Sequence, residues 1–133
     1  MKCIKIDVVS KTVYEIEIED GLQSMYDALG LGCEMIEKGF YLPIISAVES
    51  KSRIDTCFVD EEGLIKGDGY IKGAFAFQAA KDNVYGPYFN NGLIIGCDED
   101  GESVSHRQIF ATIKEQVQFF DIDEFQLWHS LLK

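Results

Sequence analysis

The stretch CIKIDVVSKTVYEIEIED, Cys3 to Asp20, constrains the fold more than any other part of this chain. Ile4, Ile6 and Val8, then Tyr14, Ile16 and Ile18, alternate with Lys5, Asp7, Glu15, Glu17 and Glu19. Successive side chains of a strand point to opposite faces, so this period of two predicts two strands, each with one apolar and one wet face. The short SKT break joins them as an antiparallel hairpin, whose wet face sets Lys5 near a row of glutamates. A second constraint is Leu93 to Cys97, apolar on both faces as a central strand must be.

Helical signals flank this frame. Asp20 reads as an N-cap with Gln23 at the third helical position; Leu22, Met25, Tyr26 and Leu29 form a stripe, and Gly30 and Gly32 end it. Ser105 and Gln108 have the spacing of a capping box, with Val104 and Ile109 as a hydrophobic staple. They predict a helix from His106 with a core stripe of Ile109, Ile113, Val117 and Phe120. The last segment, DIDEFQLWHSLLK, spaces Phe125, Trp128 and Leu132 along one face. Between these, RIDTCFVD and GLIKG read as a hairpin around an acidic turn. FYLPIISAVES reads as a strand that Pro43 confines to an edge, a bulge or a strand start, and GYIKGAFAFQAAKDN fits either period. The pattern predicts an α+β fold: a mixed, mainly antiparallel sheet with two to three helices packed on it, in a single domain. Residues 1–120 make up that domain, and residues 121–133 form a C-terminal amphipathic helix packed on it or on a partner.

Charge excludes whole classes of partner. With 12 Lys+Arg against 23 Asp+Glu, the formal net charge is −11, which repels phosphate backbones and anionic membranes. Neither direct nucleic-acid binding nor membrane association is expected. The first residues lack the long apolar core of a signal peptide, no run approaches the roughly 18 apolar residues of a span, and the expected location is cytoplasmic. Cys3, Cys33, Cys57 and Cys97 form no CxxC pair and sit mostly among apolar or small neighbours, which fits buried reduced thiols rather than bridges.

Motifs that carry chemistry are scarce. Aligning GCDEDGESVS as an EF-hand loop with Gly101 sixth puts Gly96 first and Arg107 twelfth; both ends fail, and the acids read as a turn. GDGYIKG is one residue too long for a dinucleotide fingerprint. His106, at the expected helix start, and His129 lack a neighbouring serine or cysteine in a nucleophile motif, so catalysis would need a Cys/His/carboxylate site assembled in space. No metal and no cofactor is expected. The most informative feature is the aromatic loop of Tyr85, Pro87, Tyr88, Phe89, Asn90 and Asn91, which mixes rigid rings, turn-makers and amides as contact surfaces do. Two of those rings could equally cap the core. Tyr85, Tyr88, Phe89, Asn90 and Trp128 are therefore the candidate residues for binding a protein partner or a small ligand, by a monomer or a homodimer. The leading reading is a non-enzymatic binding protein. The alternatives are an acidic nucleic-acid mimic that inhibits a host DNA-binding protein, and an enzyme with a spatially assembled site.

The order of features, a two-strand start, a first helix, FVDEEGLIKG, then YG, NGLIIGCDEDGE and a polar helix start, resembles a domain of unknown function, DUF3846. That family consists of uncharacterised small proteins carried largely by phages, plasmids and other mobile elements. The likeness spans Lys2 to Glu102 and is most specific at Asp60–Gly67 and Gly92–Glu102, while the tail from Asp121 looks like an addition. The resemblance implies a mobile-element origin and gives no residue a chemical role.

Overall fold

The computed structural model describes residues 1–43, 54–62, 69–98 and 100–121. In chain order its elements are β1 (Lys2–Asp7), β2 (Thr12–Glu17), α1 (Leu22–Leu29), β3 (Ile36–Pro43), β4 (Ile54–Asp60), β5 (Ala74–Ala80), β6 (Asn83–Phe89), β7 (Gly92–Cys97), β8 (Ser103–Val104), α2 (Phe110–Gln116) and β9 (Val117–Phe120). They make two sheets rather than one. The larger has the order β2-β1-β7-β4-β3, with β8 pairing the end of β7, and the smaller has the order β6-β5-β9. All pairs are antiparallel. The α+β class stands: the described residues hold two helices, and the strands divide between two antiparallel sheets where one was expected.

The larger sheet is covered on both faces, and that sets the core. Cys3, Leu93 and Ile95 meet Met25 and Leu29 of α1 on one side. On the other, Ile4, Ile6, Phe40, Leu42, Cys57, Val59 and Ile94 meet Phe75 and Phe77 of the smaller sheet and Ile113 of α2. Phe75 and Phe77 are completely buried; each contributes on the order of 2–3 kcal/mol from apolar area removed from water. β7 is the central strand expected, held between β1 and β4, and its both-sided apolarity follows from the two layers packed against it. Gly92 belongs to the same logic: a Cβ there would lie 2.6 Å from the Phe75 ring, so only glycine lets the second sheet approach this closely.

Two-sided cover also corrects the reading of the first hairpin. The register pairs Lys5 with Tyr14, Ile4 with Glu15 and Lys2 with Glu17. Ile16 and Ile18 pack on the α1 side with Cys3, whereas Ile4, Ile6 and Val13 face the smaller sheet. Lys5 therefore lies on the opposite face from Glu15 and Glu17. Alternation marks two partly buried faces here, not one dry and one wet.

The capping signals fail at both helices. α1 is flanked by Gly21, with no side-chain cap, and Gln23 donates to Asp27 instead; Gly30 and Gly32, both at positive φ, do end it. α2 begins at Phe110 rather than His106, and Ser105 Oγ accepts the Lys2 amide at 2.8 Å. The Ser105–Gln108 segment is thus held by β1 and β4, not by a helix start. Ile109 is 66% exposed, and Val117 to Phe120 leave the helix to pair with β5 as β9. β-Branched and aromatic residues facing an open strand edge favour that ladder over another helical turn. Asp98 and Asp100 belong to the turn expected, but between strands: Asp98 Oδ1 accepts the amides of Asp100 and Glu102, both at 2.9 Å, and Gly101 has φ 82°. GLIKG and the C-terminal helix with Trp128 lie outside the described residues.

Candidate functional site

A cleft of about 310 Å³ opens between the end of β3, the β5–β6 ribbon and α2. Phe77, Ala79 and Tyr85 form its floor, Leu42 and Pro43 one wall, and Ile109, Thr112, Ile113 and Gln116 the other; Asn83 and Tyr41 stand at its margin. Arg107 and Gln108 close one end. Among the described residues, none of those lining the cleft is acidic, in a chain of formal charge −11. A second, more open hollow beside the end of α1 is bounded by Gln23, Tyr26, Asp27 and Glu34, two of which are carboxylates.

The polar end is rigid because Asp55 sits behind it. Asp55 is on the core face of β4 with Cys57 and Val59, and it is fully buried. A carboxylate there must be compensated. It accepts the Arg107 amide at 2.7 Å, Arg107 Nε at 3.2 Å and Nη2 at 3.1 Å, and Gln108 Nε2 at 3.1 Å. Arg107 Nη2 also donates to the Cys97 carbonyl at 2.8 Å, and Gln108 Nε2 to the Pro43 carbonyl at 3.2 Å. One buried acid thereby fastens the segment before α2 to three strands. It also neutralises Arg107, the one charged side chain among the described residues that line the cleft.

The expected aromatic loop is the strand β6, paired with β5 across a bulge between Phe75 and Phe77. Tyr85 lines the cleft, half-buried, with its ring stacked on Phe40 at 5.3 Å and 3°. Tyr88 stacks on Phe40 from elsewhere, at 5.6 Å, and donates to the Gly39 carbonyl at 2.9 Å; burial pushes its phenol up to about 12. Phe89 is buried. Asn90, 1% exposed and at φ 65°, accepts the Lys72 amide at 2.7 Å and donates to the Tyr70 carbonyl at 3.2 Å, so its amide ties down the segment before β5. The structure brings Tyr85 alone of the predicted set to the cleft; Trp128 lies outside the described residues. Asn91 acts like Asn90, bridging the Val8 amide and the Leu29 carbonyl, both at 2.8 Å.

Groups with catalytic potential are engaged elsewhere. His106 Nε2 lies 2.7 Å from Glu15 Oε2, and its Nδ1 accepts the Gln108 amide at 3.2 Å. An amide can only donate, so a neutral ring carries its proton on Nε2, and the nitrogen that would act as a base is already occupied. His106 stands in the segment before α2, not at a helix N-terminus, and it does not line the cleft. Burial pushes the Cys3 thiol up to about 11 and the Cys57 thiol further still, away from thiolate character. Burial and the adjacent Asp60 carboxylate, to which it donates, likewise raise the Tyr70 phenol. Among the described residues no group of three or more His, Cys, Asp or Glu side chains is arranged to hold a metal ion. Nor is any helix of the described residues long and apolar enough to cross a membrane.

A sequence model of one domain family, a domain of unknown function designated DUF3846, matches residues 1–118. The chain belongs to that family. The match runs from β1 into the start of β9 and takes in α1, α2 and every described residue that lines the cleft, and it stops short of Asp121. No curated protein and no solved structure matches the chain. The sequence singled out neither Asp55 nor Thr112, and it gave Gln108 only a capping role and Arg107 only a failed EF-hand position, none of them a place in a site. One signal for them existed: an aspartate in phase with Cys57 and Val59 on a core face has to find a donor.

Proposed function

We propose that this domain is a non-enzymatic binding protein that receives its ligand in the cleft between β3, β5–β6 and α2, and that it serves a phage or plasmid in its host. The observation that carries the binding reading is the cleft itself, with apolar and aromatic walls, a few polar groups at one end, and a volume at the lower end of the ~300–1,000 Å³ typical of ligand pockets. Its polar end is preorganised by Asp55, which lowers the ordering cost of binding. The engaged histidine and the raised thiols favour binding over chemistry.

The test uses thermal shift and mass spectrometry on the full chain with a small-molecule library. Thr112 is exposed on α2 and lines the cleft, so Thr112→Trp should fill the cleft while leaving the core intact. At least one compound should raise the melting temperature of the wild type by several degrees and leave Thr112→Trp unmoved, and it should be recovered unchanged. Compounds that stabilise both proteins equally refute the cleft as the site. Conversion of the bound compound refutes a purely binding role.

A further inference from the structure

We infer that the cleft takes a small, neutral, planar heteroaromatic or aromatic amide that presents an N–H group to Gln108; this deepens the binding reading and rests on it. Three features of the walls select that chemistry. The floor offers one partly exposed ring: Tyr85 lines the cleft half-buried, held by stacking on Phe40 at 5.3 Å and 3°, over the fully buried Phe77. Aromatic surfaces favour offset stacking and edge contacts with other rings, so such a floor discriminates for planar partners. The volume of about 310 Å³ equals the room of roughly ten waters, enough for one ring or a fused pair.

Charge selects next. Among the described residues the lining has no carboxylate to attract a cation. The one cation among the described lining residues, Arg107, already donates to Asp55 and to the Cys97 carbonyl, and the chain as a whole repels anions at long range. A neutral ligand is left. The final selection is the hydrogen-bond pattern. Pro43 O and Asp55 Oδ2 can only accept, so the nitrogen of the Gln108 amide must face them, and the orientation of that amide is fixed. Among the described residues nothing donates to Gln108 Oε1. Gln108 lines the cleft and keeps its Oε1 as an acceptor, so a ligand that carries a donor gains a bond there that an analogue without one lacks.

Benzamide, adenine, N,N-dimethylbenzamide, cyclohexanecarboxamide and benzoate separate these properties, each titrated into the ¹⁵N-labelled full chain and followed by NMR. Benzamide and adenine should shift the backbone amides of Thr112 and Ile113 and the side-chain amide of Gln108. The dimethyl, non-planar and anionic analogues should bind at least fivefold more weakly, and Thr112→Trp should abolish every shift while melting as the wild type does. If benzoate, the dimethyl compound or the cyclohexane compound binds the cleft as tightly as benzamide, the ligand class is wrong and the cleft remains a binding site. If no probe moves these resonances, or if Thr112→Trp leaves the shifts in place, the cleft reading fails together with the ligand class.

Discussion

Removing the amide of Asn91 should cost more than removing any polar side chain on the surface. Asn91 is 4% exposed at the crossing from the smaller sheet to β7. Its Oδ1 accepts the Val8 amide at the end of the first hairpin, and its Nδ2 donates to the Leu29 carbonyl at the end of α1. Asn91→Ala leaves both groups buried without a partner, at about 1–3 kcal/mol each, so the loss should be roughly 2–6 kcal/mol. That is a large part of the 5–15 kcal/mol of a typical domain. Urea denaturation at neutral pH measures it, with Asn91→Asp as the companion. An aspartic acid could still accept from Val8 and, when protonated, donate to Leu29. Burial would raise its folded pKa above the unfolded value of about 3.9, so its stability should be greatest below that pH and fall as pH rises through the folded pKa. If Asn91→Ala costs less than about 1 kcal/mol, or if Asn91→Asp is indifferent to pH, the side chain is not what fastens α1 to the hairpin.

Arg107→Ala should destabilise by about 3–5 kcal/mol, because it removes the countercharge and the two guanidinium hydrogen bonds from a fully buried Asp55, and Asp55→Asn in the same background should recover part of the loss; equal losses in the single and double variants would contradict this. At alkaline pH the Tyr88 phenol matters: its folded pKa, about 12, exceeds the ordinary value of about 10, so the stability linked to it is complete below pH 10 and declines as pH rises through 12. Tyr88→Phe should flatten that part of the alkaline stability profile followed by circular dichroism.

What the sequence made legible was whatever depends on one strand and its immediate partner. β7 could be recognised as central because Leu93, Ile94 and Ile95 leave no wet face, and the DED turn because Asp98 and Gly101 complete it locally. Helix starts were misread because their signals are side chains that also bond elsewhere. The Ser105 hydroxyl can cap a helix or accept from Lys2, and only the fold, which brings β1 alongside, decides. The same holds for Asn90 and Asn91. Adjacent asparagines beside tyrosines suit a contact surface equally well as a sheet-to-sheet crossing, and the difference lies in whether Lys72, Tyr70, Val8 and Leu29 present backbone groups nearby.

The cleft was beyond local reading for a related reason. Its walls come from β3, β5, β6 and α2, and each contributes residues whose pattern is explained by something else: Phe77 by the core, Tyr85 by stacking on Phe40, Ile113 by a helix stripe. What makes a site of them is the position of α2, and that position is set by Asp55. Without a buried carboxylate on β4, Arg107 and Gln108 would have no common acceptor, and the segment leading into α2 would be left with separate bonds to the Ile54, Cys97 and Pro43 carbonyls. Asp55 costs stability through desolvation, and an apolar residue at the same place would serve the core as well or better. An apolar residue could not, however, accept from Arg107 and Gln108 at once. The charged choice therefore makes physical sense as a device that holds one face of the cleft in register with the other.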